Sequence, residues 1–209
     1  MNNKVKYPRT KHLMWSKSIS SDDKKLKSVK HFYGKEIVMT EKRDGENSNL
    51  MRDCIYARSL DSNDHPSRHW LKGMWANMKF NIPDNWRICG ENLYAKHSVG
   101  YDSLETYFEV FSIWNEENVC LSIDDTLDWC ELLGLIHVPI LYRGKFDEDF
   151  LKNYKIDTKK VEGYVIRLAD SFKYEDFNFS VAKWVRENHV QTNDHWMYNK
   201  IIKNKLKKY

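Results

Sequence analysis

The chain has few of the residues that interrupt regular structure or staple small folds: its 209 residues include 8 glycines, 4 prolines and 4 cysteines. Glycine and proline punctuate linkers. Their scarcity, together with the absence of repeats and low-complexity tracts, excludes a string of modules and predicts one main domain over residues 1–209. Cys54, Cys89, Cys120 and Cys130 lie far apart, with no C-x-x-C pair and no histidine at zinc-finger spacing. Neither a metal knuckle nor a redox dithiol is indicated, and free thiols in a reducing compartment are expected. No apolar run approaches the roughly 20 residues that cross a bilayer, and Met1-Asn2-Asn3-Lys4-Val5-Lys6 lacks the apolar stretch of a secretory signal. The expectation is therefore no membrane partner and a cytoplasmic location, in a host cytoplasm if the chain is phage-encoded.

Charge and aromatic side chains are plentiful. Lysine and arginine number 34 against 30 acids, a formal net charge of +4, with 8 Trp, 12 Tyr and 9 Phe. The positive charge gathers at the ends. A basic N-terminal segment, residues 1–35, carries Lys4, Lys6, Arg9, Lys11, Lys17, Lys24, Lys25, Lys27, Lys30 and Lys35, and Lys200, Lys203, Lys205, Lys207 and Lys208 close the chain. Such ends suit a phosphate backbone bound with counterion release, and they equally suit a solvated surface. The aromatics serve base stacking as well as a core.

Periodicity supplies the elements. Glu36 to Glu41 reads as a strand ending at an Asp44-Gly45 turn, followed by strands at Asn47–Arg52 and Cys54–Arg58. After Pro66, the helical spacing of Trp70, Leu71, Met74, Trp75 and Met78 predicts a helix limited by Pro83. Strands follow at Trp86–Tyr94 and Tyr107–Trp114, then a helix opened by Ser122 and closed by Gly134, then strands at Val161–Leu168 and Phe179–Val185. A basic C-terminal helix is expected at about 194–209, with Trp196, Ile201 and Ile202 on one side. Strands outnumber helices and mix with them, which predicts an α+β fold on antiparallel sheets.

The chemistry gathers at Glu41-Lys42-Arg43-Asp44-Gly45-Glu46, which contains the pattern K-x-D-G. A lysine before an Asp-Gly turn is ordinary on a surface, so the pattern gains its weight from the residues downstream of it and their order. Tyr56-Ala57-Arg58-Ser59 comes next, then Cys89-Gly90-Glu91-Asn92-Leu93-Tyr94, Tyr107-Phe108-Glu109-Val110-Phe111-Ser112, Glu162-Gly163-Tyr164-Val165-Ile166-Arg167, and Val181-Ala182-Lys183-Trp184-Val185-Arg186. Taken singly, Phe111 is more often a core residue than a base platform, Arg58 an ordinary ion-pair partner, and Asp44 a turn residue.

In order and spacing, over roughly residues 36 to 190, this series resembles motifs I, Ia, III, IIIa, IV and V of the covalent nucleotidyltransferases, and most of all the ATP-dependent RNA ligase family of phage and RNA-editing ligases. The resemblance implies an antiparallel-sheet nucleotidyltransferase (adenylyltransferase) domain of the ATP-grasp-like ligase type. It implies ATP and Mg2+ or Mn2+ as cofactors, and RNA with 5′-phosphate and 3′-hydroxyl ends as substrate. Lys42 would be the nucleophile that carries AMP, with Asp44 and Gly45 positioning it. Glu41 would accept from the adenine amine, Phe111 stack on adenine, Glu91 hold the ribose hydroxyls, and Arg58 reach ribose or the 5′-phosphate. Glu162 would take the divalent ion and Lys183 the α-phosphate. Neighbouring cations and that ion are expected to lower the Lys42 pKa.

Two positions depart from the pattern: many relatives have two lysines where this chain has only Lys183 between Val181 and Val185, with Arg186 a candidate substitute, and several have an acid where Ser112 stands. The short stretch after Arg186 is expected to be too short for the OB-fold domain of DNA ligases and capping enzymes, so a basic terminal helix or a protein partner would supply its role. A DNA nick ligase, or a non-sealing nucleic-acid-binding protein on a ligase fold, are the alternatives.

Overall fold

The computed structural model describes residues 4–17, 23–60, 63–187 and 201–208. In chain order the strands and α-helices are β1 (Lys11–His12), β2 (Glu36–Lys42), β3 (Glu46–Leu50), β4 (Ile55–Ala57), α1 (His69–Met78), β5 (Arg87–Asn92), β6 (Phe108–Trp114), β7 (Val119–Cys120), α2 (Ile123–Leu133), β8 (Ile136–His137), β9 (Ile140–Lys145), α3 (Glu148–Asn153), β10 (Gly163–Leu168), β11 (Phe172–Lys173), α4 (Phe177–Ser180) and β12 (Val181–Val185). One sheet runs β1-β12-β10-β2-β9, the other β11-β7-β6-β5-β3-β4, with β8 added beside β6. The architecture is α+β, but the sheets are mixed. β1 pairs with β12 and β8 with β6 in parallel, which corrects the wholly antiparallel expectation. Both parallel strands are two residues long, too short to show any periodicity.

β2 lies inside its sheet because Ile37, Val38 and Met39 form a continuous apolar run, and all three are fully buried. Ile37 and Met39 pack with Phe32, Tyr164, Ile166 and Ala182 in one core. The second sheet builds another core from Leu50, Ile88, Phe108, Val110 and Ile113, covered by Leu71 and Met78 of α1 and Cys130 of α2. The helices begin and end where their caps dictate. The Ser122 side chain accepts from the Asp125 N–H at 3.1 Å, and Gly134 takes the left-handed conformation, φ 64°, that closes α2. The expected strand from Phe179 is half right: Phe177–Ser180 is a helical turn and the strand starts at Val181.

The basic N-terminal segment is part of the fold. Leu13, Leu26, Val29 and Phe32 are buried in the first core, and β1 joins the sheet edge. The expected C-terminal helix falls partly outside the described residues, and over 201–208 the chain is not helical. Instead it lies against the loop after β5, with bridges from Ala95 to Lys203 and from Leu104 to Leu206. Asn204 explains the preference: its side-chain amide donates to the Leu93 carbonyl at 2.8 Å, and its oxygen accepts from the Tyr101 N–H at 2.9 Å. These bonds satisfy buried backbone groups that a helix would have left unpaired.

His137 gives the fold a pH dependence. Its Nδ1 bonds the Val138 carbonyl at 2.6 Å, while Nε2 is buried without a partner among the described residues. Burial, opposed by that carbonyl, pushes its pKa down to about 4. The unfolded ring titrates near 6.5, so the unfolded state binds the proton first and stability falls as pH drops from about 6.5 toward 4, by at most about 3 kcal/mol. Urea melts between those pH values should show the loss. In His137→Asn, which keeps a donor for Val138, the slope should flatten; an unchanged slope refutes the assignment.

Candidate active site

The two sheets enclose a cavity of about 810 Å³. Alternate residues of three adjacent strands form one wall: Thr40 and Lys42 of β2, Val165 and Arg167 of β10, Val181 and Lys183 of β12. The period of two along a strand puts them on one face. Glu91 and Phe111 of the second sheet also line the cavity, with Glu41 and Arg58.

Lys42 ends β2, where its register partner is Gly163. A Cβ on Gly163 would stand 2.0 Å from the Trp184 carbonyl oxygen, so only glycine lets β10 and β12 close here. The residue before it, Glu162, is buried and forms a short hydrogen-bonded ion pair with the Lys42 ammonium. Burial opposes the charge on Lys42, but Glu162, Glu91 and Asp44 outweigh it and hold the amine above its ordinary pKa. The groups the protein itself provides around the amine are chiefly acids, whereas the lowered value expected from the sequence includes a bound divalent ion. Burial also pushes Glu91 up to about 8 against the pull of Lys42. Its Oε1 accepts from the Gly45 N–H at 3.0 Å.

Asp44 does not line the cavity. One of its oxygens accepts from Ser98 Oγ and from the Val99 N–H, both at 2.6 Å, and its own N–H donates to the Tyr101 hydroxyl at 2.9 Å. It fixes the turn after Lys42 and acts on the amine through its charge. A Cβ on Gly45 would sit 2.5 Å from the Asn92 carbonyl oxygen, so the turn packs directly on β5.

Several contributors were not singled out from sequence. Arg43, the unspecified position of K-x-D-G, donates to Glu41 at 2.6 Å and to Glu109 at 2.6 and 3.1 Å, and lies 4.9 Å over the Tyr101 ring. It offsets the burial that raises both carboxyl pKa values. Asp23 accepts from Lys183 at 3.2 Å and lies 3.2 Å from His12 Nε2. The one available signal was that Asp22-Asp23 is the only acidic pair in residues 1–35. Burial and the nearby Lys42 lower the Lys183 pKa, while Asp23 supports its charge. Tyr7 packs edge-on against Phe111, with ring centroids 5.2 Å apart. Arg68 is held by Glu46 at 2.7 Å. Ser112 accepts from the Trp114 indole at 3.0 Å and lines the cavity beside Phe111. Arg186 and Glu162 do not line the cavity; Glu162 reaches it through Lys42.

Among the described residues no three His, Cys, Asp or Glu side chains converge into a metal cage. The oxygen donors beside Lys42 nevertheless suit a hard divalent cation, which commonly takes one or two carboxylates and fills its remaining positions with water and substrate phosphate.

A family model described as RNA ligase matches residues 35–185. No curated protein matches the chain. Among solved structures, a variant Naegleria gruberi RNA ligase with AMP and Mn aligns with TM-score 0.55 and 16% identity over 78% of this chain and 53% of its own. An archaeal ATP-dependent RNA ligase aligns with TM-score 0.57 and 14% identity over 86% of this chain and 48% of its own. The Naegleria gruberi RNA ligase with PPi aligns with TM-score 0.57 and 15% identity, over 91% of this chain and 63% of its own. The chain thus spans about half the length of the first two of these.

Proposed function

The chain belongs to the RNA ligase family, and from that premise we propose that it is an ATP-dependent RNA ligase working through a covalent lysyl-AMP. The observation that carries the reading is the pairing of Lys42 with Glu162 at a cavity wall shared with Lys183, opposite Glu91 and Phe111. We read residues 1–209 as one nucleotidyltransferase domain of the ATP-grasp-like ligase type.

In the first step the Lys42 amine attacks the α-phosphorus of ATP, the bond to the β-phosphate oxygen breaks, and pyrophosphate leaves from a lysyl phosphoramidate. An oxygen of an RNA 5′-phosphate then displaces Lys42 and takes the AMP. Finally a 3′-hydroxyl attacks the activated phosphate, forms the phosphodiester and releases AMP. Phe111 would stack on adenine, Glu41 accept from its amine while Arg43 holds the carboxylate, and Glu91 take the ribose hydroxyls. Lys183 would stabilise charge on the α-phosphate oxygens. Arg58 would reach ribose or the 5′-phosphate, and Asp44 and Gly45 hold the turn that presents Lys42.

Lys42 must lose a proton before it can attack, and its acidic neighbours oppose that loss. Glu162 is the residue that would hold Mg2+ or Mn2+, an ion that would supply neutralisation of phosphate charge; a carboxylate so engaged would hold the Lys42 proton less tightly. RNA is the proposed polymer.

Incubation with ATP and MgCl2 or MnCl2 should add about 329 Da to the intact mass, one adenylyl group on a lysine. Sealing assays on RNA, DNA and hybrid nicks should favour RNA. An unmodified mass with either metal sinks the covalent reading, and equal sealing of DNA sinks the assignment of the polymer.

A further inference from the structure

The cavity that contains Lys42 and Lys183 is bounded on one side by Pro8 and Arg9, and the same two residues bound a second groove of about 570 Å³. The other residues lining that groove are Lys11, Lys24 and Asn178. Its lining therefore carries three cations, one amide and no carboxylate. Lys11 and Lys24 form no ion pair among the described residues. Of the cations in the cavity itself, Arg43 is held between Glu41 and Glu109, and Arg68 by Glu46.

The backbone of the groove is tied to β12, the strand that carries Lys183. Lys11 and His12 pair in register with Ala182 and Lys183 of β12. The Lys24 carbonyl accepts from the His12 N–H at 2.8 Å, and the Leu26 N–H donates to the His12 carbonyl at 2.8 Å. Lys11 and Lys24 thus stand on backbone fixed one strand away from Lys183. Ammonium groups on a fixed backbone, with an amide and no acid, fit a chain of phosphates, whose bound counterions are released as the lysines replace them.

We propose that this groove takes the sugar-phosphate backbone of a single RNA strand and leads its terminal 5′-phosphate past Arg9 toward Lys183 and Lys42. The assignment rests on the ligase reading above. A bound nucleoside triphosphate is the competing occupant. It fits less well, because Lys11 and Lys24 do not line the cavity of Lys42 and lie beyond Arg9 from it.

The test compares the wild-type chain with Lys11→Ala/Lys24→Ala in two assays: ATP-dependent mass gain, and fluorescence anisotropy of a short 5′-phosphorylated single-stranded RNA over a KCl series. Expected is unchanged adenylylation with RNA affinity weakened on the order of tenfold, and a log-log salt slope shallower by about 1.4, near 0.7 for each of two lost phosphate contacts. Transfer of AMP from pre-labelled protein to the RNA end should slow in parallel. Lys24→Glu alone, at an exposed side chain, should weaken RNA binding in the same sense, and Lys24→Arg should preserve it. Unchanged affinity and slope in folded variants would overturn the proposal. So would a raised KM for ATP with RNA binding intact, which assigns the groove to the triphosphate. Groove-dependent RNA binding by a wild-type chain that never takes the adenylyl group supports the groove and overturns the ligase reading.

Discussion

Lys42→Ala is expected to reduce formation of the covalent adenylyl adduct by more than about a thousandfold, since the chain then has no amine at the attacking position. Lys42→Arg should fail as completely, because a guanidinium stays protonated at any accessible pH even though it preserves the positive charge beside Glu162. The pair of variants separates two consequences of the substitution. Alanine also leaves Glu162 and Glu91 without their cation, and Glu91 is already pushed up to about 8 by burial; arginine restores the ion pair and spares the fold. Peptide mapping of the wild-type adduct should place AMP on Lys42. A label of wild-type intensity in either variant would make another residue the nucleophile.

Glu162→Gln is expected to be the next most damaging change, costing roughly a hundredfold or more in adenylylation, in the range found when a charge-stabilising group is removed from a reaction centre. Glutamine keeps the shape of the side chain and a carbonyl oxygen that can accept from Lys42, so the effect should fall mainly on the rate. Breaking a buried ion pair costs about 3–5 kcal/mol when an uncompensated charge remains, and thermal melts will show how much of that applies beside a lysine that is about a quarter exposed, at 23%. The discriminating measurement is the metal dependence. Adduct formation by the wild-type chain should vanish on chelation and saturate with added MnCl2, whereas Glu162→Gln should need far more metal for the same yield. If the variant labelled at the wild-type rate with the same metal dependence, Glu162 would be a structural partner of Lys42 and nothing more.

Much of the fold was legible because its signals are local. The apolar run at Ile37–Met39 announced an inner strand, the stripe from Trp70 to Met78 announced α1, and Ser122 and Gly134 marked both ends of α2. The candidate site was legible for another reason: Lys42, Glu91, Phe111, Glu162 and Lys183 stand in the order of the motifs that the chain shares in resemblance with RNA ligases. Elements too short to carry a period, β1 and β8, escaped detection, and with them the parallel pairings. Over 201–208 the terminal stretch was misread because Trp196, Ile201 and Ile202 suggest one face of a helix, while the deciding group, Asn204, makes its bonds to Leu93 and Tyr101 about a hundred positions away.

By itself the sequence determined which residues are candidates for the chemistry, since identity and order are all that a motif contains. Only the tertiary structure decided who neighbours whom. It brought Glu162 onto Lys42, 120 positions apart, and so surrounded the amine with acids that hold its pKa above the ordinary value. It set Asp23 on Lys183 across 160 positions, and turned a basic leader into the wall of the site. The physical reason is that a motif's chemistry is fixed by its side chains, whereas charge, burial and access are properties of the surroundings, and these are set by strands that meet only once the chain has folded.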